Sequence, residues 1–181
     1  MKKMKKSTLI KSVFTVLTMM FMLSNVSSQT TAPLSPAATA TGTLKSGANI
    51  KITYSSPSVR GRKIWGDLVP FDKVWRAGAN DATQIETDKD IVVDGHKLAA
   101  GKYSIYAVPT TEDWSIIFSS QTGQPGMNHD GTTTLDFNKE VFRVIGKAKK
   151  SKTMNEQLVY TINEKGFVLS WEILDVIVPM K

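Results

Sequence analysis

The chain has no cysteine among its 181 residues. That excludes disulfides, a cysteine nucleophile, a thiolate zinc site and an iron–sulfur cluster, so the fold must rest on its core. It also rules out a lipid-modified amino-terminal cysteine. Histidine is scarce: His96 and His129 are the only two. Zinc or copper would need both brought together with a carboxylate, and isolated histidines on separate loops are usually solvated. Arginine is limited to four positions, 60, 62, 76 and 143. No window carries the period of an amphipathic helix. No apolar run reaches the ~20 residues of a membrane span. There is no Gly-x-Ser-x-Gly elbow and no complete phosphate loop. Asp88, Asp90 and Asp94 echo a calcium loop without its central glycine or its terminal glutamate. Neither a metal nor any other cofactor is expected.

What is present begins with an export pattern. Lys2, Lys3, Lys5 and Lys6 precede an apolar stretch from Val13 to Leu23, followed by the small, polar exit Ser24–Ser28. Residues 1–28 therefore read as a cleaved signal peptide, and the protein is expected to be periplasmic or extracellular, with no membrane span after cleavage. Five of the 23 basic residues and none of the 16 acidic ones lie in that segment, so the formal charge falls from +7 to +2. The basic character is mostly a targeting feature, and no basic stripe points to nucleic acid. Residues 29–47, rich in Thr, Ala, Pro and Ser, read as a flexible linker.

Residues 48–181 read as one domain of short strands. Ile50, Ile52 and Tyr54 alternate with polar residues, and Trp114, Ile116 and Phe118 share a face. Leu158, Tyr160 and Ile162 alternate with Val159 and Thr161. Phe167, Leu169, Trp171 and Ile173 keep period two over seven residues. Asp94-Gly95 after Ile91–Val93 is a two-residue hairpin turn, because positive φ is needed at both positions. The pattern predicts an all-β, single antiparallel β-sandwich of Greek-key or jelly-roll type. Residues 123–134 form its longest loop without regular structure.

Three of the four arginines and two of the four tryptophans fall between Ser58 and Thr83. Arginine is a planar fork of donors suited to carboxylate, phosphate or sugar hydroxyls. Tryptophan adds a stacking face and one donor. Arg60, Trp65, Trp75, Arg76, Asn80 and Asp81 are accordingly the candidate ligand-binding residues. The same residues also read as scaffold, with Trp65 and Trp75 plugging the core and the arginines paired to Asp67, Asp72 or Asp81.

These motifs carry a resemblance. Ser58, Arg62-Lys63-Ile64-Trp65-Gly66, then Leu68-Val69-Pro70-Phe71-Asp72-Lys73-Val74-Trp75-Arg76-Ala77-Gly78-Ala79-Asn80 are followed by Ala82-Thr83, Leu98-Ala99-Ala100-Gly101-Lys102-Tyr103-Ser104, Val108-Pro109 and Trp114. Over Ile50 to Pro179 this is similar to the secreted bacterial family called domain of unknown function 2911. The resemblance implies an exported, mostly β protein of the Bacteroidota and no known activity. Family members often carry a Gln-Trp-Gly-like stretch where this chain has Gly123-Gln124-Pro125-Gly126-Met127, so an aromatic clamp there is missing.

Three functions compete. The leading expectation is non-catalytic binding of a small polar or glycan-like ligand in the cell envelope. A periplasmic structural or assembly role comes second. A hydrolase using Asp81 or Glu86 with Arg76 comes third. The oligomeric state is not legible in the sequence.

Overall fold

The computed structural model describes residues 33–181; the expected signal peptide, 1–28, and the first residues of the expected linker lie outside the described residues. Nine strands follow in order: β1 (Ala37–Thr43), β2 (Asn49–Ser55), β3 (Thr83–Thr87), β4 (Ile91–Val93), β5 (His96–Leu98), β6 (Gly101–Val108), β7 (Trp114–Ser119), β8 (Glu140–Asn163) and β9 (Gly166–Pro179). The only helical element among the described residues is a 3-10 turn, Phe137–Lys139.

Seven strands form one antiparallel sheet in the order β1-β2-β3-β6-β7-β8-β9, and β4 pairs with β5 as a separate ribbon. This order is sequential apart from the inserted β4–β5 hairpin. It is a meander, and it replaces the Greek-key or jelly-roll order expected from the sequence. The sheet curls until β1 meets the far end of β8. A Cβ on Gly42 would stand 2.7 Å from the Ile162 side chain, and the Lys45 amide donates to the Glu164 carbonyl at 3.0 Å. Only a residue without a side chain allows that approach.

The expected linker is corrected by the same contact. Residues 37–43 pair with β2 from Ala37↔Ser55 to Thr43↔Asn49. Their Ala-Thr alternation is a strand pattern built from small residues, in which Ala38 and Ala40 pack on the core.

The core is the concave interior of the curled sheet. Ile50, Ile52, Ile85, Ile105, Phe118, Phe167, Leu169 and Trp171 are all buried in it. Burying each such side chain fully contributes about 1.5–3 kcal/mol. β6 and β7 are covered on their other face too. There Tyr106 and Ile117 pack beneath Ala82 and Leu135, with Val74 and Val108 at the margin. This is why the sequence of β7 reads almost continuously apolar.

Two regularities of the sequence break in the structure. The strands expected at Glu140–Ile145 and around Tyr160 are one 24-residue strand, irregular in its pairing with β9 between Lys150 and Val159. The period-two run of β9 ends at Glu172, which adopts φ 54°. Ile173 is consequently turned outward and is 46% exposed, and burial resumes at Val176 and Val178. The Asp94-Gly95 turn is as expected, with φ 44° and 90°.

Candidate binding site

The segment Val74–Thr83 crosses one end of the sheet as a turn held from four sides. Trp75 exchanges backbone hydrogen bonds with Ala107 of β6 at 2.7 and 2.8 Å, and its indole N–H donates to the Gly78 carbonyl at 3.0 Å. The Ala79 amide donates to the Ser55 carbonyl of β2 at 3.2 Å. The Ala77 carbonyl accepts from the Thr83 hydroxyl at 2.9 Å and from the Tyr160 hydroxyl of β8 at 2.8 Å. These bonds sustain positive φ at Ala77 (53°) and Asn80 (57°), a conformation that costs a non-glycine residue about 1–2 kcal/mol. Burial pushes the Tyr160 hydroxyl far above the ordinary tyrosine range, so it stays a donor.

All four tryptophans meet beneath this turn. The Trp65 ring lies edge-on to Trp75, Trp114 and Trp171, with centroids 5.9, 4.8 and 5.6 Å away. Trp75 and Trp171 are near parallel, 17° apart at 6.0 Å. Edge-to-face pairs of this kind each add about 0.5–1.5 kcal/mol beyond area burial. The indole N–H groups of Trp65, Trp114 and Trp171 are nonetheless buried without a hydrogen-bond partner.

Above the cluster is a cavity of about 230 Å³, bounded by Arg62, Leu68, Trp75, Arg76, Met127 and Trp171 among others, and no acidic residue lines it. Arg76 is half-buried. Its Nε is buried with no partner, and desolvation draws its pKa below the usual guanidinium value. Among the described residues the ion pairs are Arg143–Glu140 and Lys147–Asp113. The pairing of Arg60, Arg62 or Arg76 with Asp67, Asp72 or Asp81, which the scaffold reading requires, is therefore absent.

The loop that follows β7 closes over the Arg76 stem. Gly126 donates its amide to the Asn80 carbonyl at 3.1 Å, and the Ala82 amide donates to the Gln124 carbonyl at 3.3 Å. A Cβ on Gly126 would stand 2.1 Å from Arg76 Cδ. The stretch that lacks the family's aromatic contributes Met127 to the lining of the cavity.

The six candidate residues separate. Trp75 and Arg76 line the cavity, with Trp65 packed against Trp75 and Trp171. Arg60 turns to the amino-terminal segment and donates to the Leu34 carbonyl at 3.0 Å. Asn80 faces Ser55, donating to its hydroxyl at 3.1 Å. Asp81 is exposed and borders a different, shallow depression with Ala37, Thr53 and Gln84. Glu86 borders a third, beside Asn49 and Asp88.

Arg62 was read only as part of the family motif, yet it lines the cavity, its guanidinium donating to the Ser58 and Val59 carbonyls. Trp171 and Met127 were missed as site residues. The inward phase of Trp171 was readable, but no spacing tied it to Trp75. His96 stacks on Phe142 at 5.1 Å. Among the described residues no three His, Asp or Glu side chains come close enough to hold a metal ion.

No curated protein and no solved structure matches this chain. One family model does, that of a protein of unknown function, DUF2911, over residues 35–180. That span includes β1 and every strand of the curled sheet, and on it the chain belongs to the DUF2911 family.

Proposed function

We propose that the protein is an exported, non-catalytic binding module that holds a small polar or glycan-like ligand in the cell envelope. The observation that carries this reading is a half-buried, unpaired Arg76 beside the parallel rings of Trp75 and Trp171 in a cavity without a carboxylate. A charge left unneutralised in a partly dry site destabilises the fold, whereas a ligand that accepts from it recovers the loss. The cavity is smaller than the roughly 300 Å³ at which drug-sized sites begin, which favours a small molecule or the end group of a chain. The reading also takes the curled sheet as a sandwich behind a cleaved signal peptide, supported by the main core that its strands share and by the lysine-rich, then apolar, amino terminus.

The hydrolase reading loses support because Asp81 and Glu86 border depressions other than the one Arg76 lines. One observation favours the assembly role: Val141, Ile145, Val159 and Ile173 on β8 and β9 are each more than 40% exposed. Intrinsic fluorescence tests the binding reading, since all four indoles pack at the cavity floor. Titration with a library of mono- and disaccharides and small acids should shift or quench emission for at least one compound. No response across the library would remove the pocket as a ligand site.

A further inference from the structure

Among the residues that line this cavity the buried polar atoms without a partner are donors; the one buried acceptor without a partner, Gln124 Oε1, lies in the adjoining loop and outside the lining. Arg76 Nε and the Trp171 indole N–H are donors, both buried and both unpartnered, and both residues line the cavity. Behind Trp171 the indole N–H groups of Trp65 and Trp114 are likewise buried donors without acceptors. Arg62 adds a second guanidinium at the rim; its only acceptors are the Ser58 and Val59 carbonyls, which leave its charge uncancelled. On the acceptor side there is no carboxylate in the lining.

A neutral saccharide presents hydroxyls that both donate and accept, and sites for it need acceptors as well as donors. This cavity has a surplus of donors and of positive charge. We propose that its ligand is a small oxyanion, a carboxylate or phosphate group, that accepts from the Arg76 guanidinium, with Arg62 adding charge at the entrance. The guanidinium fork matches two oxygens of such a group, and hydrogen bonds to an ionised acceptor are about twice as strong as neutral ones. Leu68 and Met127, both exposed in the lining, meet whatever apolar part the anion carries. The inference rests on the binding reading above and narrows its ligand class. It also gives the turn a purpose: positive φ at Ala77 and the tight seat of Gly126 hold the guanidinium where no protein carboxylate reaches it.

The experiment uses the ¹⁵N-labelled protein with four probes: inorganic phosphate, acetate, benzoate and methyl glucoside. Arginine Nε–H and indole N–H resonances are followed, that of Arg76 being identified by its loss in Arg76→Gln. The expected result is saturable movement of the Arg76 Nε–H signal and of one indole signal with an anion. Phosphate acting alone would identify a phosphate site. Acetate or benzoate acting without phosphate would identify a carboxylate site, and benzoate binding more tightly than acetate would reveal the apolar contribution. Arg76→Gln should weaken the anion at least about tenfold, the usual effect of losing a charged hydrogen bond. If that variant does not fold, the Arg76 signal is assigned instead by through-bond correlation to its own backbone amide in the wild type, and its movement together with a weaker response in Arg62→Ala decides. Methyl glucoside moving the indole signals while no anion does, or anion affinity indifferent to Arg76, overturns the oxyanion assignment and leaves the pocket standing. Silence to all four probes overturns the oxyanion assignment too, and silence to the fluorescence library as well removes the pocket.

Discussion

Removing both partners of the Ala77 carbonyl should cost more than the sum of removing each. That carbonyl belongs to a buried residue, 1% exposed, and it accepts from Thr83 Oγ1 at 2.9 Å and Tyr160 Oη at 2.8 Å. Tyr160→Phe deletes one bond and leaves the other, so its expected cost is one ordinary hydrogen bond, about 1 kcal/mol. Thr83→Val, close to isosteric, removes the second bond for a similar amount. The double variant leaves a buried acceptor without any partner, which adds a desolvation penalty of about 1–3 kcal/mol. Urea denaturation of the four proteins closes the cycle, and the double variant should be less stable than additivity gives by that penalty. Additivity within about 0.5 kcal/mol would refute the claim that these two hydroxyls jointly hold the turn that presents Arg76. The same tyrosine has a pH signature. Its folded pKa lies above the unfolded value of 10.0. Below pH 10 both states keep the proton and stability is unaffected. Above it the unfolded chain releases the proton first, so stability falls as pH rises, by up to about 1.4 kcal/mol per pH unit. Tyr160→Phe should flatten that alkaline limb; an unchanged limb would mean that another group sets it.

Three other outcomes follow from particular contacts. Gly126→Ala forces a Cβ onto the Arg76 stem and should cost about 1–3 kcal/mol as overpacking does, with weakened ligand response; an unaltered melting temperature would show that the loop has room to give. The Asp88 carboxylate is held below the usual range by the Asn49 amide and side chain, so its contribution is present above its unfolded value of 3.8 and lost as pH falls below it. Asp88→Asn should therefore flatten the acid limb of an unfolding profile, and a limb of unchanged steepness would contradict it. Deleting residues 33–43 removes β1, uncovers β2 and unpacks Ala38 and Ala40 from the core; proteolysis should then degrade a domain that resists it when intact, and equal resistance would return this segment to the status of a linker.

The sequence revealed the strands whose inward positions are large and whose ends are marked by turn chemistry. β2, β7, β9 and the Asp94-Gly95 hairpin are of that kind. β1 was hidden because its inward residues are alanines, and a strand of Ala and Thr has the composition of a tether. What makes it a strand is tertiary: a seven-residue ladder to β2 and the contact of Gly42 with Ile162. β8 was hidden differently. Lys147, Lys149, Lys150 and Lys152 crowd its middle and suppress any apolar alternation there, while β9 supplies the pairing. The meander order was not legible either, because alternation fixes which face is buried and says nothing about which strand lies beside which.

The site was partly legible for a related reason. Composition singled out Trp75 and Arg76 correctly as neighbours of a cavity, since they are adjacent in one turn. It grouped Asn80 and Asp81 with them by proximity in sequence, and the turn divides them: past the positive φ at Ala77 and Asn80, Asp81 borders a different depression. Trp171 joins from nearly a hundred residues away, through a β9 phase that ends one residue later at Glu172. Had the period of β9 continued unbroken, Ile173 would also point inward and the interior would be fuller at that end. Space remains beside Trp171, and the arginine that borders it has no acid paired with it. A purely structural role would place a carboxylate there or an aliphatic side chain, either of which stabilises a fold better than an unpaired guanidinium. Local arrangements that cost stability and are held in place by bonds from several strands are the ones expected where a protein meets its ligand.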